Sequence, residues 1–182
     1  MKEISLHILD LVENSIKANA TKITIEVVES ISDNIYSVRI KDDGCGMTQE
    51  FWANIDDPYT TTRQSRKIGL GIPLVKMNAE KAGGKFCIQS VLGGGTEVYF
   101  DFEHNHWDRP LLGDIAGVVV MLAVCNDDKQ ITYTHITDGG KYVFDTNEVR
   151  ETLDGISLNN YSIITYLKDM INENLVAIHF VQ

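Results

Sequence analysis

No stretch of this chain is apolar for long enough to cross a bilayer: the longest such run, Ile115 to Cys125, is far shorter than the roughly 20 residues a membrane helix needs. The amino terminus, Met1-Lys2-Glu3-Ile4-Ser5, lacks the continuous apolar core and small-residue cleavage site of a secretory signal. A cytoplasmic location is therefore expected. Cysteine is scarce as well. Cys45, Cys87 and Cys125 stand far apart with no paired spacing, which argues against a disulfide framework or a zinc site and leaves reduced thiols in packed positions. Positive charge is short, with 16 Lys and Arg against 26 Asp and Glu, a net charge of −10 and a pI near 4.8. Nucleic-acid phosphates need clustered cations, so a nucleic-acid partner is not expected. There is no internal repeat and no low-complexity segment.

What is present is the material of an ordinary packed core: 182 residues, 43% of them hydrophobic, enough for one large domain or two small ones. Against the acidic background, Lys17, Arg63, Arg66 and Lys67 form a local basic set suited to a polyphosphate.

The run Ile8 to Ala18 carries Asp10, Glu13, Asn14 and Lys17 on a helical pattern. Residues four apart share a helix face, so Asp10 lies one turn from Asn14 and Glu13 one turn from Lys17. Asp10 and Asn14 can point into one cavity. A carboxylate and a neutral carbonyl oxygen suit a hard cation such as Mg²⁺, which takes few protein ligands and keeps water and phosphate oxygens. The other reading is an amphipathic helix with a solvated polar face and a core stripe of Leu9, Val12 and Ile16.

Beyond this helix, Thr21 to Val27 and Tyr36 to Lys41 alternate apolar and polar residues and predict two antiparallel strands, with Glu29 to Asn34 as their connection. Met47 to Lys67 is long, irregular and rich in Thr, Asp and Arg, the pattern of a lid or binding loop. Gly69-Leu70-Gly71 then opens a helix with Pro73 in its first turn and Gly83-Gly84 at its end. Phe86 to Val91 and Thr96 to Phe102 form a hairpin about Gly93-Gly94-Gly95.

The polar, proline-containing stretch 104–110 predicts a linker. Residues 1–103 would then be one unit and 111–182 a small α+β domain of unassigned role. Within the latter, Asp114 could cap a helix to Val124, although the Val118-Val119-Val120 triplet favours a strand. Asp138-Gly139-Gly140 signals a hairpin, Asp145 to Glu148 a capping box, and Tyr161 to Asn172 a helix.

Asp42-x-Gly44-x-Gly46 follows the second strand. In isolation it reads as a turn; functionally, a buried carboxylate can accept the exocyclic amine of adenine while glycines let the backbone approach the ring. Lys67 to Gly71 before a helix, and Gly93 to Thr96, are either tight turns or phosphate cradles, since exposed amides and a helix amino terminus both favour anions. His104-Asn105-His106 has no Cys or carboxylate partners in sequence and reads as linker rather than metal site. His7 reads as an ordinary helix histidine.

In this order the motifs resemble those of the GHKL superfamily, which comprises DNA gyrase, ATPase chaperones, histidine kinases and mismatch-repair ATPases. Asp10 to Ala18 resembles its asparagine box and Asp42 to Met47 its adenine box. Pro58 to Arg63 with Gly69-Leu70-Gly71 resembles the lid and glycine box of histidine kinases, and Gly95-Thr96 the last glycine motif. The resemblance covers about residues 1–103 and implies an α+β fold, a two-layer α/β sandwich holding ATP and Mg²⁺. It implies magnesium on Asn14, and nucleotide contacts from Asn14, Lys17, Asp42, Gly44, Gly46, Met47, Arg63, Lys67, Gly69, Leu70, Gly71 and Thr96. Asp10 stands at the position of the catalytic base.

Asp10 and Lys67 depart from the family pattern. Hydrolysing branches carry Glu at the position of Asp10 and histidine kinases usually Asn; Lys67 replaces the first glycine of the kinase glycine box. With no phosphoacceptor helix pair ahead of the asparagine box, a self-phosphorylating sensor kinase is not expected. The resemblance points instead to slow ATP hydrolysis or to phosphorylation of a protein partner in trans, in the style of anti-sigma-factor serine kinases. The alternative is a nucleotide-gated interaction module without catalysis. A protein partner is expected in either case, and a homodimer is compatible with both.

Overall fold

The computed structural model describes residues 3–47 and 71–178. Along the chain the elements are α1 (Ile4–Lys17), β1 (Lys22–Ser30), β2 (Ile35–Asp42), α2 (Gly71–Lys81), β3 (Phe86–Val91), β4 (Gly95–Glu103), α3 (Ile115–Cys125), β5 (Gln130–Thr137), β6 (Gly140–Asp145), α4 (Thr146–Leu153) and α5 (Tyr161–Ala177). The strands make one six-stranded sheet in the order β3-β4-β2-β1-β5-β6. Every pairing is antiparallel except β1 with β5.

Helices cover one face of this sheet. α2 touches β3 and β4, α1 touches β1 and β2, α3 touches β5, and α5 touches β6, so the helix order α2-α1-α3-α5 follows the strands beneath. The fold is α+β, a two-layer sandwich, as the sequence predicts.

Because successive side chains in a strand alternate faces, the registers place the helix-facing residues in four rows across the sheet. The two middle rows are Ile88-Val98-Ile40-Ile25-Tyr133-Phe144 and Phe86-Phe100-Val38-Val27-His135-Tyr142. They form most of the sheet's contribution to the core. The end rows are more polar. One runs Ser90-Thr96-Asp42 before reaching Ile23 and Ile131, and the other runs Phe102-Tyr36-Glu29-Thr137.

Three expectations from sequence are corrected here. The buried face of α1 is formed by Ile4, Ser5, His7, Ile8, Leu11, Val12 and Ser15, rather than by a narrow Leu9, Val12 and Ile16 stripe. Leu9 and Ile16 are only partly buried against the core. The reason is position: α1 lies between α2 and α3, so neighbours on both sides as well as the sheet widen the face it must bury. The three cysteines are free and exposed. Cys45 lies in a loop, Cys87 on the outer side of an edge strand, and Cys125 at the end of α3.

The third correction concerns the boundary at 104–110. Residues 111–182 do contain α+β elements, but β5 lies beside β1 over eight residue pairs from Lys22↔Gln130 to Glu29↔Thr137. The two stretches therefore share one sheet and one core. β2 satisfies only one edge of β1, and the hydrogen-bonding groups on the other edge need a partner. The 104–110 segment turns back over the end of the sheet: His104 Nε2 lies 2.8 Å from Glu29 Oε1. The Arg109 guanidinium lies over the Tyr36 ring at 5.1 Å. Glu29 is 2% exposed, and a buried carboxylate of this kind requires such polar company.

Candidate functional site

Asp42 closes β2 facing the helices and is 8% exposed. Its two carboxylate oxygens are each held once. Ser15 Oγ, from α1, donates to Oδ2 at 2.6 Å, and the Gly44 amide donates to Oδ1 at 2.9 Å. A carboxylate has about four lone-pair sites, so both oxygens keep capacity for a further donor. The loop after Asp42 is folded tightly against its surroundings. A Cβ on Gly44 would lie 2.8 Å from both the Cβ and the carbonyl oxygen of Ala18, so only glycine permits this approach to the end of α1. The Cys45 amide donates to Ala18 O at 2.9 Å, and Gly93 N donates to Cys45 O at 2.8 Å. Asp43 faces the other way and accepts from Thr21 N, Thr21 Oγ1 and Lys22 N at 2.6–2.8 Å. Those donors, Lys22 N–H foremost, hold its pKa below the usual carboxylate value.

Met47 leaves this loop with its amide donating to Ser90 Oγ at 2.8 Å. Ser90 Oγ in turn lies 2.8 Å from Thr96 Oγ1. Thr96 is the register partner of both Asp42 and Ser90. Asp42, Gly44, Gly46, Met47 and Thr96, which the sequence brought forward as separate motifs, are thus joined at one end of the sheet. Asn14 is half-buried on α1, directly before Ser15.

Asp10 sits where α1 meets the start of α2: a Cβ on Gly71 would lie 3.4 Å from Asp10 Oδ2. One turn earlier on the same side, His7 is fully buried and its Nε2 lies 2.8 Å from Asn78 Nδ2 of α2. Lys17 is exposed at the end of α1, with Nζ 3.2 Å from Glu13 Oε2. Arg63, Lys67, Gly69 and Leu70, together with the expected lid, lie outside the described residues.

Ser15, Asp43 and Ser90 escaped the sequence reading. Ser15 had a usable signal, since positions 4, 8, 11 and 15 form one helical stripe and a hydroxyl replaces an aliphatic side chain at its last position. Asp43 and Ser90 carried none, because each acts through a partner distant in sequence.

Burial holds His7 neutral and lowers its pKa from 6.5 to about 4. Between those values the unfolded chain binds the proton and the native chain does not, so stability falls as pH drops through that window. At about 1.4 kcal/mol per pKa unit, a loss on the order of 3 kcal/mol is expected by pH 4. Urea unfolding measured from pH 7 to pH 4 reads it directly, and His7→Gln should flatten the profile there. Asp43, Asp114, Asp138 and Asp145 have lowered pKa values, so the stability they lend is lost further into acid.

The family model described as Histidine kinase-, DNA gyrase B-, and HSP90-like ATPase matches residues 2–106. The chain belongs to this ATPase family. Among its relatives, the histidine protein kinase DivJ of Caulobacter vibrioides is 30% identical over 95 residues, covering 50% of this chain and 16% of that one. The mitochondrial pyruvate dehydrogenase (acetyl-transferring) kinase 1 of Saccharomyces cerevisiae is 35% identical over 95 residues, covering 42% of this chain and 24% of that one. The chain thus spans less than a quarter of the length of either kinase. The N-terminal domain of a DNA repair protein shares the fold, with a TM-score of 0.57 at 18% identity over 79% of this chain and 52% of that one. As a member of the ATPase family the chain is a nucleotide-binding domain of the ATP-binding kind. No helix among the described residues is long and apolar enough to cross a membrane.

Proposed function

We propose that the chain binds Mg-ATP between α1, the 42–47 loop and the start of α2, and transfers the γ-phosphate to a protein partner or, slowly, to water. The observation that carries this reading is the Ser15-Asp42-Gly44 arrangement, a buried carboxylate oriented by two donors with lone pairs to spare. Those lone pairs suit the exocyclic amine of adenine. Guanine offers a carbonyl at that position and would be rejected.

The donor set at Asn14 suits a magnesium ion delivered with the nucleotide. Asn14 offers one carbamoyl oxygen, and among the described residues no three His, Cys, Asp or Glu side chains converge to hold a metal. Phosphate oxygens and water would complete the shell. Magnesium bound there would neutralise charge on the phosphates. Lys17 and the start of α2 supply positive potential from the protein's side. Asp10, at the junction of α1 and α2, would take a proton from an attacking hydroxyl or water. Two of the relatives are protein kinases by name, which favours transfer to a protein.

The second reading is a nucleotide-gated interaction module, favoured by the packing of Asp10 against Gly71, which would let nucleotide move α2 without chemistry. Incubation with γ-labelled ATP separates the two readings, with released phosphate and labelled protein counted separately. Asp10→Asn should lower label transfer by about 10²- to 10⁴-fold with little change in ATP affinity. Failure of the wild-type protein to bind Mg-ATP at millimolar concentration would overturn the proposal. Equal turnover in Asp10→Asn would remove Asp10 from the role of base, and Mg-ATP binding with neither released phosphate nor labelled protein would shift the reading to the module. Cytoplasmic location, and a second copy of the chain as partner, remain parts of the same proposal.

A further inference from the structure

The polar end row of the sheet does not stop at Asp42 and Thr96. It continues onto the edge strand β3 at Ser90, whose register partner is Thr96. Ser90 is half-buried and its hydroxyl meets three groups from separate pieces of chain. It accepts from Met47 N at 2.8 Å, lies 2.8 Å from Thr96 Oγ1, and reaches Gly95 O at 3.2 Å.

We propose that Ser90 is a positioning residue for the adenine end of the bound nucleotide. The inference rests on the nucleotide reading above and assigns a residue outside the motifs that suggested it. A serine hydroxyl has one hydrogen and two lone pairs. With Met47 N–H filling one lone pair, two arrangements remain. Ser90 donates to Gly95 O and receives the Thr96 hydroxyl, or it donates to Thr96. In the first, Thr96 turns only lone pairs toward the ligand; in the second, it keeps its proton to offer. Ser90 therefore sets the polarity that Thr96 presents beside Asp42, and it also fixes the point where the 42–47 loop ends. Both actions fall beside Asp42, on the base side of the site.

The location sets the test. Ser90→Ala should weaken adenosine and Mg-ATP by the same factor, roughly tenfold, because the base and not the triphosphate loses its seat. Its melting temperature should stay within a few degrees of the wild type. Ser90→Thr keeps the hydroxyl and should restore affinity to within about threefold. Ser90→Cys keeps the volume but offers only a weak donor and acceptor, so it should lie between, and it carries the test if Ser90→Ala does not fold. A purely structural role would lower the melting temperature and leave the affinities of the folded protein for adenosine and for Mg-ATP at their wild-type values. Unchanged affinity in Ser90→Ala or Ser90→Cys overturns the inference, as does a loss confined to ATP. If wild-type protein binds neither ligand, the nucleotide reading itself fails, which is a different outcome from wild-type binding that the Ser90 variants share.

Discussion

Asp42→Asn is expected to reduce Mg-ATP affinity by at least about 100-fold, some 2.7 kcal/mol, while leaving the protein folded. The substitution keeps the shape but replaces one acceptor oxygen with a donor amide. Gly44 N–H can still be accepted by the remaining oxygen, and the Ser15 hydroxyl can rotate to accept from the new amide, so the fold loses little. The exocyclic amine of adenine, a donor, then meets a site that has lost an anionic acceptor, and losses of this kind run to about 1.5–3 kcal/mol for charged partners. An amide can also donate to the carbonyl of guanine. Titrations with ATP and GTP should therefore show the preference between them collapse in the variant. Retained ATP affinity and selectivity would remove Asp42 from the base-binding role.

Gly95→Ala is expected to be the most destabilising single substitution in the glycine hairpin. Gly95 has φ +85°, and a Cβ there would lie 2.0 Å from the backbone oxygen of Asp42. Positive φ in a non-glycine residue costs about 1–3 kcal/mol, and forcing β4 away from β2 adds about 1–3 kcal/mol more as overpacking. The sum is a large fraction of the stability of an ordinary domain, about 5–15 kcal/mol. Gly93→Ala is the control. Gly93 has φ +77° but nothing within 4 Å of its would-be Cβ, so only the same backbone term applies, about 1–3 kcal/mol. Urea unfolding of the two variants side by side should separate them by at least about 1 kcal/mol. Equal losses would mean that the contact with Asp42 relaxes without cost.

Signals confined to a few neighbouring residues are legible in the sequence. The β1–β2, β3–β4 and β5–β6 hairpins follow from alternation bounded by turn residues, and each pairs antiparallel. The Asp42 loop was legible for the same reason. α3 was harder, because its valine triplet leans toward strand while Asp114 leans toward a cap. Burial decided it: Val118, Val119 and Val120 are all buried, and the Asp114 side chain accepts from Gly117 N at 3.0 Å. The parallel pairing of β5 with β1 left no local trace. A linker and a strand that reaches across to an earlier one look alike when only neighbours can be read. Ser90 was missed on the same principle, as a lone serine in a strand until Met47 and Thr96 are brought beside it. The expected lid contacts of Arg63 and Lys67 lie outside the described residues.

The insertion of β5 beside β1 also shapes how the protein is made. β1 lies inside the sheet, yet its second partner stands more than a hundred residues further along the chain. Pairing of that kind incurs the entropy of loop closure before any contact repays it, and it slows folding. During synthesis the stretch that carries the nucleotide motifs leaves the ribosome first, with the free edge of β1 exposed until β5 follows. An uncovered edge is a template for the wrong strand. A fragment cut at residue 106, where the family match ends, would keep that edge permanently, so the half that reads as a complete ATP-binding module is the half that would pair with its own copies and aggregate.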